Sequence, residues 1–195
     1  MKHSILILLT VVVALFALSS CASSPKRLDA NKDIVADTGE LTRWELEKAA
    51  VRLGQSIGAY FKKHPEKEGV FVALLPTKNE TSEQIAVKVF DNNLVAELRK
   101  NDVFTIRTET RNQSLAEIEF SMSGLAEKPL SVGKMKSPNY FIKIDITEDM
   151  YRSSGDRIVE QVINVELINV LTQVVAWSDK KVYRKQAVSG GGTSW

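Results

Sequence analysis

Reactive side chains are few in this sequence, and the first question is what those few can do. The only cysteine, Cys21, follows an apolar run from Ile5 to Leu18 and the small residues Ser19 and Ser20. Of the histidines, His3 precedes that run and His64 stands beside Pro65. If residues 1–20 are removed, what remains cannot build a Cys–His pair, a His-centred triad or a zinc cage. His64 reads as a solvated helix-end residue. Glu117 and Glu119 suggest a paired-carboxylate hydrolase, but side chains two apart on a helix point to different sides. Ser153-Ser154-Gly155 and Gly190-Gly191-Gly192 lack the strand–loop–helix context of a phosphate cradle and read as turn and tail. Lys180, Lys181, Arg184 and Lys185 make a basic end to the last strand. Charge that protects a sheet edge accounts for them; a contact surface for an acidic partner or anionic polymer is the sharper alternative. The chain is therefore expected to be no enzyme, with no catalytic residue, metal, cofactor or small-molecule substrate.

The one residue with a specific chemical expectation is Cys21. Met1-Lys2-His3 is a short positive start, and the run from Ile5 to Leu18 has the length of a secretory signal and is short for a membrane span. Leu18-Ser19-Ser20-Cys21 resembles the bacterial lipobox, in which the thiol takes a diacylglycerol, the signal is cut before the cysteine and the new amine is acylated. Each buried methylene contributes about 0.8 kcal/mol, so several acyl chains anchor stably where one does not. Residue 22 is Ala rather than the Asp of an inner-membrane retention signal. The expected location is the outer membrane, with the domain facing the periplasm. Loss of residues 1–20 removes a single basic side chain, Lys2, and leaves a nearly neutral chain. Charge then implies no nucleic-acid partner.

Residues 21–41 read as the lipidated cysteine and a polar tether, whose 20 residues reach at most roughly 70 Å extended and about 25 Å as a coil. Residues 42–186 read as one globular domain and 187–195 as a flexible tail. Three Ser/Thr-x-x-Glu/Gln patterns are expected to open helices as capping boxes: Thr42 with Glu45, Thr81 with Gln84, and Ser114 with Glu117. Leu41 and Leu46 occupy hydrophobic-staple positions at the first. Its helix carries Leu46, Ala50, Leu53, Ile57 and Tyr60 at helical spacing and ends near Lys63, before Pro65. The second helix presents Val87, Phe90, Leu94 and Leu98. The third presents Leu115, Ile118, Met122 and Leu125 inward and ends near Gly124. Val70 to Leu75 reads as a strand buried on both faces, Thr77 to Glu80 as a loop, and Val103 to Arg107 as a strand parallel to the first. From Tyr140 the pattern alternates, with Tyr140, Ile142, Ile144 and Ile146 on one face. Val159, Ile163, Val165 and Leu167 continue that face in the next strand, and Val174 to Arg184 follows. The fold class is α+β: a mixed four- to five-stranded sheet packed by helices, ending in an antiparallel three-stranded meander.

These residues resemble the LpoB family of outer-membrane lipoproteins, which activate bifunctional class A penicillin-binding proteins. The likeness rests on the lipobox at Cys21, on Asn79-Glu80-Thr81 after a strand, and on the corner Asn101-Asp102-Val103-Phe104. Its most specific part is Leu171-Thr172-Gln173-Val174-Val175-Ala176-Trp177-Ser178-Asp179 in the meander. Together these cover most of residues 69–186. The resemblance implies a fold similar to the N-terminal domain of TolB, a non-catalytic regulatory role, and a class A penicillin-binding protein as partner. No partner-contact residue follows from it. The tether departs from the long proline-rich segment of family members. The alternative is a CsgG-like secretion or envelope-assembly subunit, which needs added barrel hairpins of about ten residues per strand; no insertion here has room for them.

Overall fold

The computed structural model describes residues 41–153 and 156–187. The signal sequence, Cys21, the tether up to residue 40, Ser154-Gly155 and residues 188–195 lie outside the described residues.

Helix α1 (Arg43–Lys63) begins where the sequence indicates. Thr42 caps it, accepting from Glu45 N while the Glu45 carboxylate accepts from Thr42 N at 2.9 Å. Leu41 and Leu46, the staple pair, are both buried. The buried stripe runs through Leu46, Ala50, Leu53 and Ile57 to Phe61, while Tyr60 is only half-buried. Phe61 takes the last core position because its ring packs edge-on against Tyr140, centroids 5.2 Å apart.

Strand β1 (Val70–Leu74) lies between β3 (Val103–Thr105) and β4 (Tyr140–Ser153) and is parallel to both. Val72 and Ala73, on opposite faces, are both buried; Phe71 is half-buried beside Phe104. The expected loop after it contains a sixth strand, β2 (Lys78–Glu80), parallel to β4. In register, Leu74 faces Ile142 and Lys78 faces Asp145, so one side spends a residue more than the other. Pro76, which has no N–H to give the ladder, sits in that gap and splits one strand into two. The sheet order is β3-β1-β4-β5-β6 with β2 also on β4. The mixed α+β sheet thus stands as expected, with one short strand more.

Strands β4, β5 (Asp156–Asn169) and β6 (Val175–Ala187) form the antiparallel meander, with Ile142 opposite Leu167 and Leu167 opposite Trp177. On the inner face Tyr140, Ile142, Ile144, Ile146, Val159, Ile163, Val165 and Leu167 are buried. Gln161 shares that parity and is buried too, which its amide tolerates by donating to Glu148 Oε2 at 2.9 Å. Helices α1 and α2 (Val87–Lys100) close this face, α2 through Phe90, Leu94 and Leu98. Each fully buried side chain of this size contributes ~1.5–3 kcal/mol. At the far edge, β6 grips α1 by polar contacts: Tyr183 Oη donates to Glu45 O at 2.7 Å, and Lys185 Nζ meets Glu45 Oε2 at 2.7 Å. The basic cluster is therefore divided, Lys185 on α1 and Arg184 paired with Glu160.

Two of the three expected capping boxes are absent. Helix α2 starts at Val87 after Ala86, with no side-chain cap. The Thr81 hydroxyl is taken locally, donating to Asn79 Oδ1 at 2.8 Å and accepting from Glu83 N at 3.2 Å. Helix α3 (Arg111–Met122) follows a 3-10 turn at Thr108–Thr110, so Ser114 falls inside it and donates back to Thr110 O at 3.0 Å. Its expected inward face is also corrected. Leu115 and Met122 are exposed, Leu125 beyond the helix is 77% exposed, and Ser121 is the one buried residue of α3.

Candidate interaction surface

The residues singled out for chemistry remain apart. Cys21 lies outside the described residues. His64 ends α1 with its ring against Tyr60, centroids 4.6 Å apart. Glu117 and Glu119 are exposed on α3. Among the described residues no group of three or more His, Cys, Asp or Glu is placed to hold a metal ion.

The structure instead assembles three surface features that no single stretch announces. The first is a cleft of about 390 Å³ where the chain leaves β1 and β3. Parallel strands direct their carboxyl ends to one side, and ligand crevices in α/β sheets form there. Leu74 and Leu75 come from the end of β1, Thr105, Ile106 and Arg107 from the end of β3, and Asp91 and Val95 from α2. Thr77 Oγ1 donates to Asp91 Oδ1 at 2.6 Å. Burial pushes the Asp91 carboxyl up, and the Thr77 hydrogen bond only partly opposes it. Thr105 Oγ1 is buried without a hydrogen-bond partner. At the rim Arg107 Nη1 meets Glu109 Oε1 at 3.3 Å.

The second feature is a depression of about 430 Å³ on the sheet face opposite the helices, lined in part by Lys78, Glu80, Lys143, Asp145 and Lys180. Lys143 Nζ lies 2.5 Å from Asp145 Oδ2 and 3.6 Å from Glu166 Oε2. The Asp145 hydrogen bond first, then the two carboxylate charges, hold the ammonium above its ordinary value against desolvation. These cations are largely answered by carboxylates on the same strands.

The third is apolar. Leu115, Phe120 and Met122 on α3, with Leu125, Leu130 and Val132 after it, are all exposed. Exposed apolar residues scattered singly are ordinary; a run from one helix and its following segment marks an interaction surface. It adjoins the cleft through the chain, because Thr108 and Glu109 line the cleft and lead directly into α3. The 3.6-residue pattern of α3 was visible in the sequence, but its direction was misread. The cleft was unmarked: its polar groups come from segments 14 to 30 residues apart.

Among known proteins, the sequence model of the family "Peptidoglycan-synthase activator LpoB" matches residues 45–183, from the first turn of α1 to β6. No curated protein sequence matches the chain. Solved structures similar to it include the LpoB C-terminal domain from Escherichia coli, at 10% identity over 71% of this chain and 98% of that one, TM-score 0.43. The LpoB C-terminal domain from Salmonella enterica matches at 12% identity over 72% and 99%, TM-score 0.43. The PelC dodecamer from Paraburkholderia phytofirmans matches at 19% identity over 64% and 79%, TM-score 0.35.

Proposed function

This chain belongs to the peptidoglycan-synthase activator LpoB family, and from that premise we propose that it is a non-catalytic outer-membrane lipoprotein that binds and activates a bifunctional class A peptidoglycan synthase. The observation that carries the reading is the extent of the family match, residues 45–183, which takes in every helix and every strand of the sheet. The exposed apolar run of α3 supports a docking role, since a partner would cover it.

In this reading Cys21 carries the lipid and the domain faces the periplasm. The 20 residues from Cys21 to Leu41 then limit the domain to at most roughly 70 Å from its anchor. Activation is a shift of population: the domain binds the active state of the synthase more tightly than the inactive one. A coupling of about 1–3 kcal/mol corresponds to a 5–150-fold shift in affinity. The test is the rate of glycan polymerisation and of cross-linking by a class A synthase from the same organism, with and without the chain from Cys21 onward. A rise in rate that saturates with the added chain is expected. No binding and no change in rate would overturn the proposal. Lipid attachment is tested separately: Cys21→Ala should abolish incorporation of labelled fatty acid and release the protein from membranes, and unchanged retention would refute the anchor.

A further inference from the structure

We infer that the cleft at the carboxyl ends of β1 and β3 receives an arginine side chain of a partner protein. Its walls match both parts of such a side chain. Leu74, Leu75, Val95 and Ile106 offer apolar surface to a methylene stem. Asp91 and Thr105 offer acceptors to a guanidinium head, whose five donors lie in a fixed fork.

The polar groups are also left wanting in the sense such a head would correct. Asp91 has a described hydrogen bond only from Thr77, through Oδ1, and burial disfavours its charge. Thr105 Oγ1 has no partner at all. Among the charged groups of the lining, Asp91 and Glu109 outweigh Arg107, and Arg107 already meets Glu109 at the rim. The charge balance therefore favours a cation over a carboxylate or phosphate. A protein source is favoured over a free small molecule by what adjoins the cleft: Thr108 and Glu109 lead into the exposed apolar face of α3. A desolvated arginine in a pocket beside an apolar surround is the usual anatomy of a protein interface.

The inference rests on reading this protein as a docking module, but its test involves no synthase, so the two can fail separately. The isotopically labelled chain from Cys21 onward, in detergent micelles, is titrated with N-acetyl-arginine methylamide and followed by NMR. Saturable shifts are expected at the amides of Leu75, Asp91, Thr105 and Ile106. The neutral isostere N-acetyl-citrulline methylamide should give none. Asp91→Asn keeps an acceptor for Thr77 and should fold, yet weaken arginine binding at least about tenfold, as loss of a charge-assisted hydrogen bond does. Thr105→Val should weaken it by a smaller factor. Equal binding by the citrulline or the lysine analogue, unchanged affinity in Asp91→Asn, or shifts elsewhere on the surface would each overturn the assignment.

Discussion

The tightest joint in the domain is between α1 and the end of α2, and Gly58 makes it possible. A Cβ at Gly58 would stand 2.6 Å from both Asn101 Cβ and Cγ and 2.7 Å from Asn101 Oδ1. Asn101 cannot simply turn away. Its Cβ is fixed to the backbone, its Nδ2 donates to Glu97 O at 3.0 Å, and the next residue, Asp102, holds φ at +59° to begin the turn into β3. In Gly58→Ala, the better helix propensity of alanine contributes about 1 kcal/mol of stability. Against it, forcing the helices apart costs about 1–3 kcal/mol, and losing the Asn101–Glu97 hydrogen bond costs about 1 kcal/mol more. The net expectation is a destabilisation of about 1–3 kcal/mol. With a urea slope of about 1–3 kcal/mol per molar, the unfolding midpoint should fall by roughly 1 M. Gly54→Ala should cost less, since its Cβ meets Glu97 Cβ at 2.9 Å and Cγ at 3.0 Å. The double variant Gly58→Ala/Asn101→Gly should recover most of the loss, because it removes the opposing Cβ. A midpoint equal to or above that of the parent in Gly58→Ala would refute the reasoning.

Three further outcomes are expected. Burial raises the Asp91 carboxyl above its ordinary value of 3.8, so its stability contribution is greatest below that pH and declines as pH rises through the higher folded value. Asp91→Asn should therefore raise the urea midpoint at pH 7 but not at pH 3; a loss at pH 7 would contradict the desolvation argument. Burial, followed by the hydrogen bond Tyr140 gives Glu66 and the charge of Glu45 near Tyr183, pushes both phenols up to about 12. Their stabilisation is intact below pH 10 and is lost between pH 10 and about 12; absorbance at 295 nm should show a late step that shrinks in Tyr140→Phe, and titration of these groups at pH 10 would oppose it. Phe120→Ser and Leu125→Ser should move stability by no more than about 0.5 kcal/mol, whereas Leu53→Ala should cost about 2–5 kcal/mol; a loss on the scale of Leu53 at either exposed site would mean that α3 packs inward after all.

What could be read from the sequence divides along the range of the forces involved. The meander was legible because alternation from Tyr140 to Ile146 reports burial on one face directly, and the parity carried through Val159 to Leu167. Helix α1 was legible because its cap pattern coincided with a staple and a long apolar stripe. The same four-residue pattern failed at Thr81 and Ser114, where no such agreement existed. Asn79 and Glu83 compete for the Thr81 hydroxyl, and a helix begun at Arg111 had already passed Ser114. Strand β2 escaped because three exposed polar residues carry no periodic signal; only the register of β4 gives them a place. Helix α3 shows a different failure. An apolar stripe states that something should cover it, and does not state that the cover belongs to the same chain.

That distinction bears on the cleft as well. The strand–helix–strand order of β1, α2 and β3 already implied parallel strands, and with them a crevice at their carboxyl ends. The place was thus implicit, while the chemistry was not, since Asp91 looks like one more polar residue on the outer side of an amphipathic helix. Its special character comes from meeting Thr77 and the end of β3 in space. Asparagine at this position would fill nearly the same volume, still accept from Thr77 Oγ1, and avoid the cost of burying a charge. Aspartate differs from it chiefly by placing a negative charge on the wall of an apolar cleft. In a folded domain that gains nothing from this charge, the stability argument favours the amide; a cationic partner reverses it, and that reversal is what binding to Asp91→Asn measures.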